Sequence, residues 1–399
     1  MRETAARLPA GRNEAIDIFR ALTVLVMIVV NDWHGVQGLP AWMKHMPAES
    51  DGMSFVDGVF PAFLFIVGLS VPFALQQRLA LATGLAPVLG HVLGRAASLV
   101  LVGVFMVNAE EVVRPEAMPL PVAAWALASY AATFLLWGSV RGGPALAWPW
   151  RLAGALGFVA LALLYRGGAD GTQGLRAHWW GILGLIGWAY LLACAAYLLL
   201  RGRVVPLLAV MLLCVGYFAA GKLPALQSQP FWQMVFSQGG HASHAAIVLA
   251  GCVAALLLFD QRSPAGARRR GLQALAFALV MALAAAGLRP WLPVSKIAAT
   301  PSWALFSAAA CVLILLGLQH GLAGRVRSAL ASWLAPVAAL PLVAYLIPFV
   351  VEALMQLAHL HRPAVLAQGS PGVATALAYA LAVALLTRGL AARGLRLRL

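Results

Sequence analysis

The chain has 399 residues, 62% of them hydrophobic and only 10% charged, with a formal net charge of +15. Soluble domains average about 25% charged residues, so the composition excludes a soluble enzyme with an anchor and predicts a polytopic membrane protein. No hydrophilic stretch is long enough for a soluble domain. Residues 1–399 therefore read as one integral-membrane domain, and the basic excess, spread over short loops, reads as a topology signal and not as a nucleic-acid surface.

A bilayer-spanning helix needs roughly 20 mainly apolar residues. That rule predicts helices near 16–33, 57–76, 88–107, 121–139, 149–165, 178–200, 204–220, 241–259, 271–288, 301–319, 332–358 and 372–390. The first follows a basic segment but runs into Asn31, Asp32 and Trp33 without a small-residue cleavage site, so it reads as a retained helix and not a signal peptide. The fifth is short, which leaves a count of eleven open beside twelve. The eleventh contains Pro336, Pro341 and Pro348 and is expected to kink or break. The fold class is thus all-α, a polytopic transmembrane helix bundle.

Twelve spans put both termini on one side, and that side holds 20 of the 28 basic residues. The positive-inside rule then places both termini in the cytoplasm. The Ala/Leu/Arg-rich composition suits a bacterial inner membrane. Cys194, Cys214, Cys252 and Cys311 all fall within apolar spans and read as buried thiols. The sequence shows no internal repeat, Gly-rich phosphate loop or zinc motif, and no metal is expected.

In this frame His34, His45, His178, His241, His244, His359 and His361 fall at the outer ends of spans or in outer loops. Asp32 ends the first span, Asp57 opens the second, and Glu352 lies in the outer part of the eleventh. Ionisable groups at membrane depth usually face a protein interior or a wet cavity, which predicts a polar cavity open to the outer face. The segment from Lys44 to Gly68 concentrates such groups. His45 is suited to take a proton near neutrality or to carry an acyl group. Asp57, if it lies beside that ring, would fix its tautomer. Asn31 offers donor and acceptor groups for an oxyanion or a sugar hydroxyl.

His241 and His244 are three apart on one helical face, as polar cavity lining or as part of a capped helix start. Lys296 is placed to pair with Glu352 or to bind an anionic group, while Thr300 before Pro301 reads as an N-cap. Trp179, Trp180, Trp188 and Tyr190 read as an interfacial aromatic belt or as sugar-stacking rings.

The pattern Arg12, Asp17, Phe19, Arg20 leads into an apolar span ending Val30-Asn31. His45 and the run FVDGVFPAFLFIVGLSVPF (Phe55 to Phe73) follow, then HWWGILGLIGWAYL, GGHASHAAIVLAG and KIAATPSWALF. These pieces, in order along most of the chain, resemble the membrane acetyltransferases related to heparan-α-glucosaminide N-acetyltransferase, including their bacterial relatives. The resemblance implies that cytosolic acetyl-CoA supplies an acetyl group to an amino sugar across the membrane. It matches His45 to the family's catalytic histidine and Asn31 to its asparagine. The sequence departs after the histidine, where Met46-Pro47-Ala48-Glu49-Ser50 lacks the expected tryptophan, so heparan is not carried over as acceptor.

Two functional readings result. In the first the protein is a transmembrane acyltransferase, with acetyl-CoA as donor and an amino sugar such as glucosamine, or another glycan, as acceptor. Asp32, His241, His244, Lys296 and Glu352 would line the substrate site, and cytoplasmic arginines such as Arg268, Arg269 and Arg270 would attract the donor's phosphates. The partners are then donor, acceptor and lipid bilayer, with a homodimer left open. In the second reading the His/Asp/Glu set is the proton relay of a secondary transporter of a sugar or related solute.

Overall fold

The computed structural model describes residues 8–9, 13–82, 84–111, 113–139 and 144–397. Arg12 of the quoted motif, and Arg2, Arg7, Arg141 and Arg398 of the charge count, lie outside the described residues. In a bilayer an apolar segment must satisfy its own backbone hydrogen bonds, and a helix does so within one segment. The described residues accordingly contain helices and no β-strand.

In chain order the helices are α1 (Glu14–Trp33), α2 (Val59–Leu81), α3 (Leu85–Glu110), α4 (Val122–Trp137), α5 (Pro144–Leu164), α6 (Gly181–Leu199) and α7 (Val204–Ala220). There follow α8 (Pro224–Gln227), α9 (Pro230–Val235), α10 (Gly239–Phe259), α11 (Ala267–Leu288), α12 (Pro301–Leu316), α13 (Gly324–Ala339), α14 (Pro341–Leu357) and α15 (Gly369–Ala392). All twelve stretches expected from the sequence are helical. Among the described residues eight helices are long and apolar enough to cross a membrane, or nine if α13 and α14 form one span. α4 and α7 are apolar but shorter, and α1 carries Glu14, Asp17, Arg20 and Asp32.

The break expected in the eleventh stretch is present, and two local differences from the sequence reading accompany it. α13 and α14 meet at a 65° bend at Leu340, because Pro341 has no N–H to continue the helical ladder. α5 starts five residues earlier than expected, with Pro149 inside the helix. The loop after α7 contains the short helices α8 and α9, each opened by a proline in its first turn.

The chain forms two compact units. The first comprises Met1–Thr23, Leu39–Leu93 and Trp188–Leu334, and the second Val24–Gly38, Gly94–Gly187 and Ala335–Leu399. In the first unit α10 is buried along nearly its whole length, and it packs on α2, α7, α11 and α12. A helix apolar all round finds such a central position. α2 and α10 cross where Gly68 meets Gly251: a Cβ on Gly68 would lie 1.9 Å from the Val248 carbonyl oxygen, and one on Gly251 2.1 Å from that of Phe65. This approach draws the N-terminal ends of α2 and α10 together, and the candidate site lies there. In the second unit α4 packs on α5 and α14. Phe105, Trp125, Phe158 and Tyr165 form its aromatic core, where the Trp125 indole donates to the Leu161 carbonyl. All four cysteines are free thiols, and Cys214 is only partly buried.

Candidate functional site

The site is built from two loops of the first unit, residues 44–58 before α2 and 289–300 before α12. Asp51 joins them. Its carboxylate accepts from Arg289 Nε at 2.9 and 3.1 Å and from the Val294 backbone N–H at 2.8 Å, and Gly52 N–H donates back to the Val294 carbonyl. The Val294 N–H and the Arg289 guanidinium hold the Asp51 carboxyl below the usual carboxylate range. A second tie runs from Ser295 Oγ to the Ala48 carbonyl.

A single 3-10 turn, Val56–Gly58, enters α2 and places Asp57 under the first loop. Its side chain is 1% exposed. Buried carboxylates persist only when hydrogen-bonded or paired, and this one is fully engaged. Oδ2 accepts from Met46 N, Ser54 N and Ser54 Oγ at 3.0–3.2 Å, leaving Oδ1 for His45 Nδ1 at 2.7 Å. The Asp57 backbone carbonyl accepts from the indole of buried Trp303, at the start of α12. His45 itself is one-third exposed. With Nδ1–H donated to the carboxylate, Nε2 is the basic nitrogen.

Lys296 approaches the same ring. Its Nζ is 3.3 Å from Nδ1 and 3.2 Å from Nε2. An in-plane amine equidistant from both nitrogens would collide with a ring carbon between them, so Nζ stands over the ring face. Burial lowers the Lys296 pKa from its usual value, and Asp57 works against that shift. Glu352, one of the two partners the sequence left open for Lys296, belongs to the other unit, where it is exposed and accepts from Gln356.

His244 packs edge-on against Phe60 and Trp303, with ring centroids 5.3 and 6.0 Å away. Its Nδ1 is buried and has no hydrogen-bond partner among the described residues. His241, one turn earlier, lies against Trp188. The capping expectation for this helix start is corrected: Gln238 is the N-cap and makes no side-chain cap bond. Thr300 does occupy the N-cap position before Pro301, as expected, but makes no side-chain cap bond; its hydroxyl accepts from Ser295 N–H and meets Ser302 Oγ, closing its own loop.

Of the residues singled out in the sequence, His45, Asp57 and Lys296 thus come together, with His244 reaching them through Trp303. Asn31, Asp32 and Glu352 belong to the second unit. There Asn31 is exposed, and Asp32 pairs with Arg362 at the other end of that unit's sequence. Trp179 donates to Glu111, while Trp188 and Tyr190 fall in the first unit. Among the described residues no three His, Cys, Asp or Glu side chains gather to hold a metal. Sequence reasoning missed Asp51, Ser54, Arg289 and Trp303. The only local signal was the Asp51-Gly52 turn facing an arginine in another outer loop.

Comparison with known proteins gives two likenesses. Residues 12–171 match the family described as a domain of unknown function, DUF5009. That segment includes His45 and Asp57 but not Arg289, Lys296 or Trp303. The heparan-alpha-glucosaminide N-acetyltransferase of Mus musculus is 31% identical over 102 residues, which are 26% of this chain and 15% of that protein. The chain therefore aligns with far less than two thirds of that enzyme, and the relationship to an N-acetyltransferase is a distant one.

Proposed function

We propose that this chain is a membrane acyltransferase. It takes an acetyl group from cytosolic acetyl-CoA and places it on an amino sugar or related glycan at the outer face, with His45 as base. The observation that carries this reading is the His45–Asp57 pair: a buried carboxylate with every oxygen engaged, 2.7 Å from Nδ1 of an imidazole one-third exposed. Such a carboxylate holds the ring in one tautomer and stabilises the cation that forms on protonation. The distant likeness to an N-acetyltransferase supplies the reaction class. On this reading both termini are cytoplasmic in a bacterial inner membrane, and the helix-start arginines Arg268, Arg269 and Arg270 face the donor's side.

As the acceptor amine attacks the thioester carbonyl, a C–N bond forms and His45 Nε2 takes the amine proton. Collapse breaks the C–S bond, and the same proton goes to the departing thiolate. The test uses purified protein in nanodiscs with labelled acetyl-CoA and glucosamine, beside His45→Ala. Label on the amino sugar is expected, with transfer by the variant down about 10²–10⁴-fold, the usual worth of a general base. Label trapped on His45 without acceptor would make it an acetyl carrier instead. No transfer to any amino sugar or glycan, together with uptake of unchanged labelled sugar into proteoliposomes, would replace this reading by proton-coupled transport.

A further inference from the structure

The acyltransferase reading assigns a base and its carboxylate but no group for the negative charge that develops on the carbonyl oxygen. Preorganised cations or donors aimed at that oxygen usually supply the largest single contribution to acyl transfer. Within the first unit one cation meets the basic nitrogen. Lys296 Nζ stands 3.2 Å from His45 Nε2, over the ring face and out of the plane in which the acceptor's N–H must approach. It therefore leaves the in-plane lone pair open while lying beside any carbonyl carbon that this acceptor attacks. Its position is built: Ser295 Oγ holds the Ala48 carbonyl, and Thr300 Oγ1 accepts from Ser295 N–H and Ser302 Oγ binds the Leu292 carbonyl. The Asp51–Arg289 pair locks this loop to the one bearing His45.

We propose that Lys296 is a catalytic residue of this centre: its ammonium, held over the His45 ring, stabilises the oxyanion. The proposal rests on the acyltransferase reading. The groups facing the His45 ring are Asp57 at 2.7 Å and Lys296; Lys44 and Glu49 lie on the same loop, and Asp51 and Arg289 are paired with each other. The lysine must be charged to act. Because burial lowers its pKa, activity should have an alkaline limb below the ordinary lysine value.

The experiment compares wild type with Lys296→Met and Lys296→Arg in nanodiscs. One readout is acetyl transfer to glucosamine against pH. The other is the rate of diethylpyrocarbonate modification of His45 at one fixed pH, read by mass spectrometry, which needs no acyl transfer. For Lys296→Met, kcat is expected to fall about 10²–10³-fold, the worth of one oxyanion donor, with KM for glucosamine little changed. Modification of His45 should be faster than in wild type, because the ring face loses the side chain that stands over it. Lys296→Arg should retain much of kcat and lose the alkaline limb, since arginine stays protonated. A Lys296→Met protein with kcat within threefold of wild type would overturn the proposal, whatever its His45 modification rate. Were wild type to transfer nothing, the acyltransferase reading would fall and the oxyanion role with it, while the His45 modification rates would still decide whether Lys296 covers the ring. Lys296→Arg covers the case in which Lys296→Met does not fold.

Discussion

Asp57 accepts five hydrogen bonds, four on its carboxylate and one on its backbone carbonyl. An asparagine there cannot satisfy the same set. If its NH₂ faces Ser54 and Met46, donors meet donors; if it faces His45, the ring takes the wrong tautomer. Asp57→Asn is expected to lose about 10²–10⁴-fold in transfer, and about 1–3 kcal/mol in stability from the donors left unmatched. Parallel rate and thermal-unfolding measurements would read the two separately. His45, Asp57 and Lys296 could each be named from their local setting, an imidazole and a carboxylate flanking a span and a lysine near the membrane. Their meeting was not legible, because Lys296 lies 251 positions from His45 and no periodicity links two loops. Trp303 read as an ordinary apolar residue of a helix; only the fold turns its indole onto Asp57.

At the scale of elements, two glycines and one ion pair decide whether the loops meet. A methyl on Gly68 would strike backbone, which no rotamer change relieves. Gly68→Ala is expected to cost at least the 1–3 kcal/mol typical of overpacking, about the range seen in well-packed cores. Gly90 in α3 has open space around its Cβ position, so Gly90→Ala should be neutral or gain up to about 1 kcal/mol from helix propensity. Thermal unfolding in nanodiscs distinguishes them. The Asp51–Arg289 tie gives a pH dependence with a fixed sign. Because the folded Asp51 pKa is lowered, its contribution is complete above the ordinary carboxylate value of 3.8 and fades as pH falls through the lowered folded value. Wild type should lose more stability than Asp51→Asn when acidified from pH 5 to below that window, as melting curves at matched pH would show. The helices themselves were legible from hydropathy and the α13–α14 break from its prolines. α8 and α9 were not, being too short for any period to register.

On the scale of the whole molecule, the two units interleave along the chain, each drawing on three separate segments. Hydropathy reads where helices lie and is silent on which of them pack together, so the single apolar domain suggested by the sequence does not display this division. The positive-inside count does make a molecular prediction. If the proposed topology holds, a green fluorescent protein fused after Leu399 should fluoresce, whereas an alkaline phosphatase fusion there should be inactive.

The dependence of Asp57 on Trp303 has a consequence for biosynthesis. The two residues are 246 positions apart, and ribosomes add roughly 5–20 residues per second, so the carboxylate is made some tens of seconds before the indole and the lysine that complete its surroundings. During that interval His45 has neither Lys296 above it nor a docked partner loop. On the proposed function, a nascent or truncated chain that stops short of Trp303 is expected to be inactive in transfer until the late helices arrive.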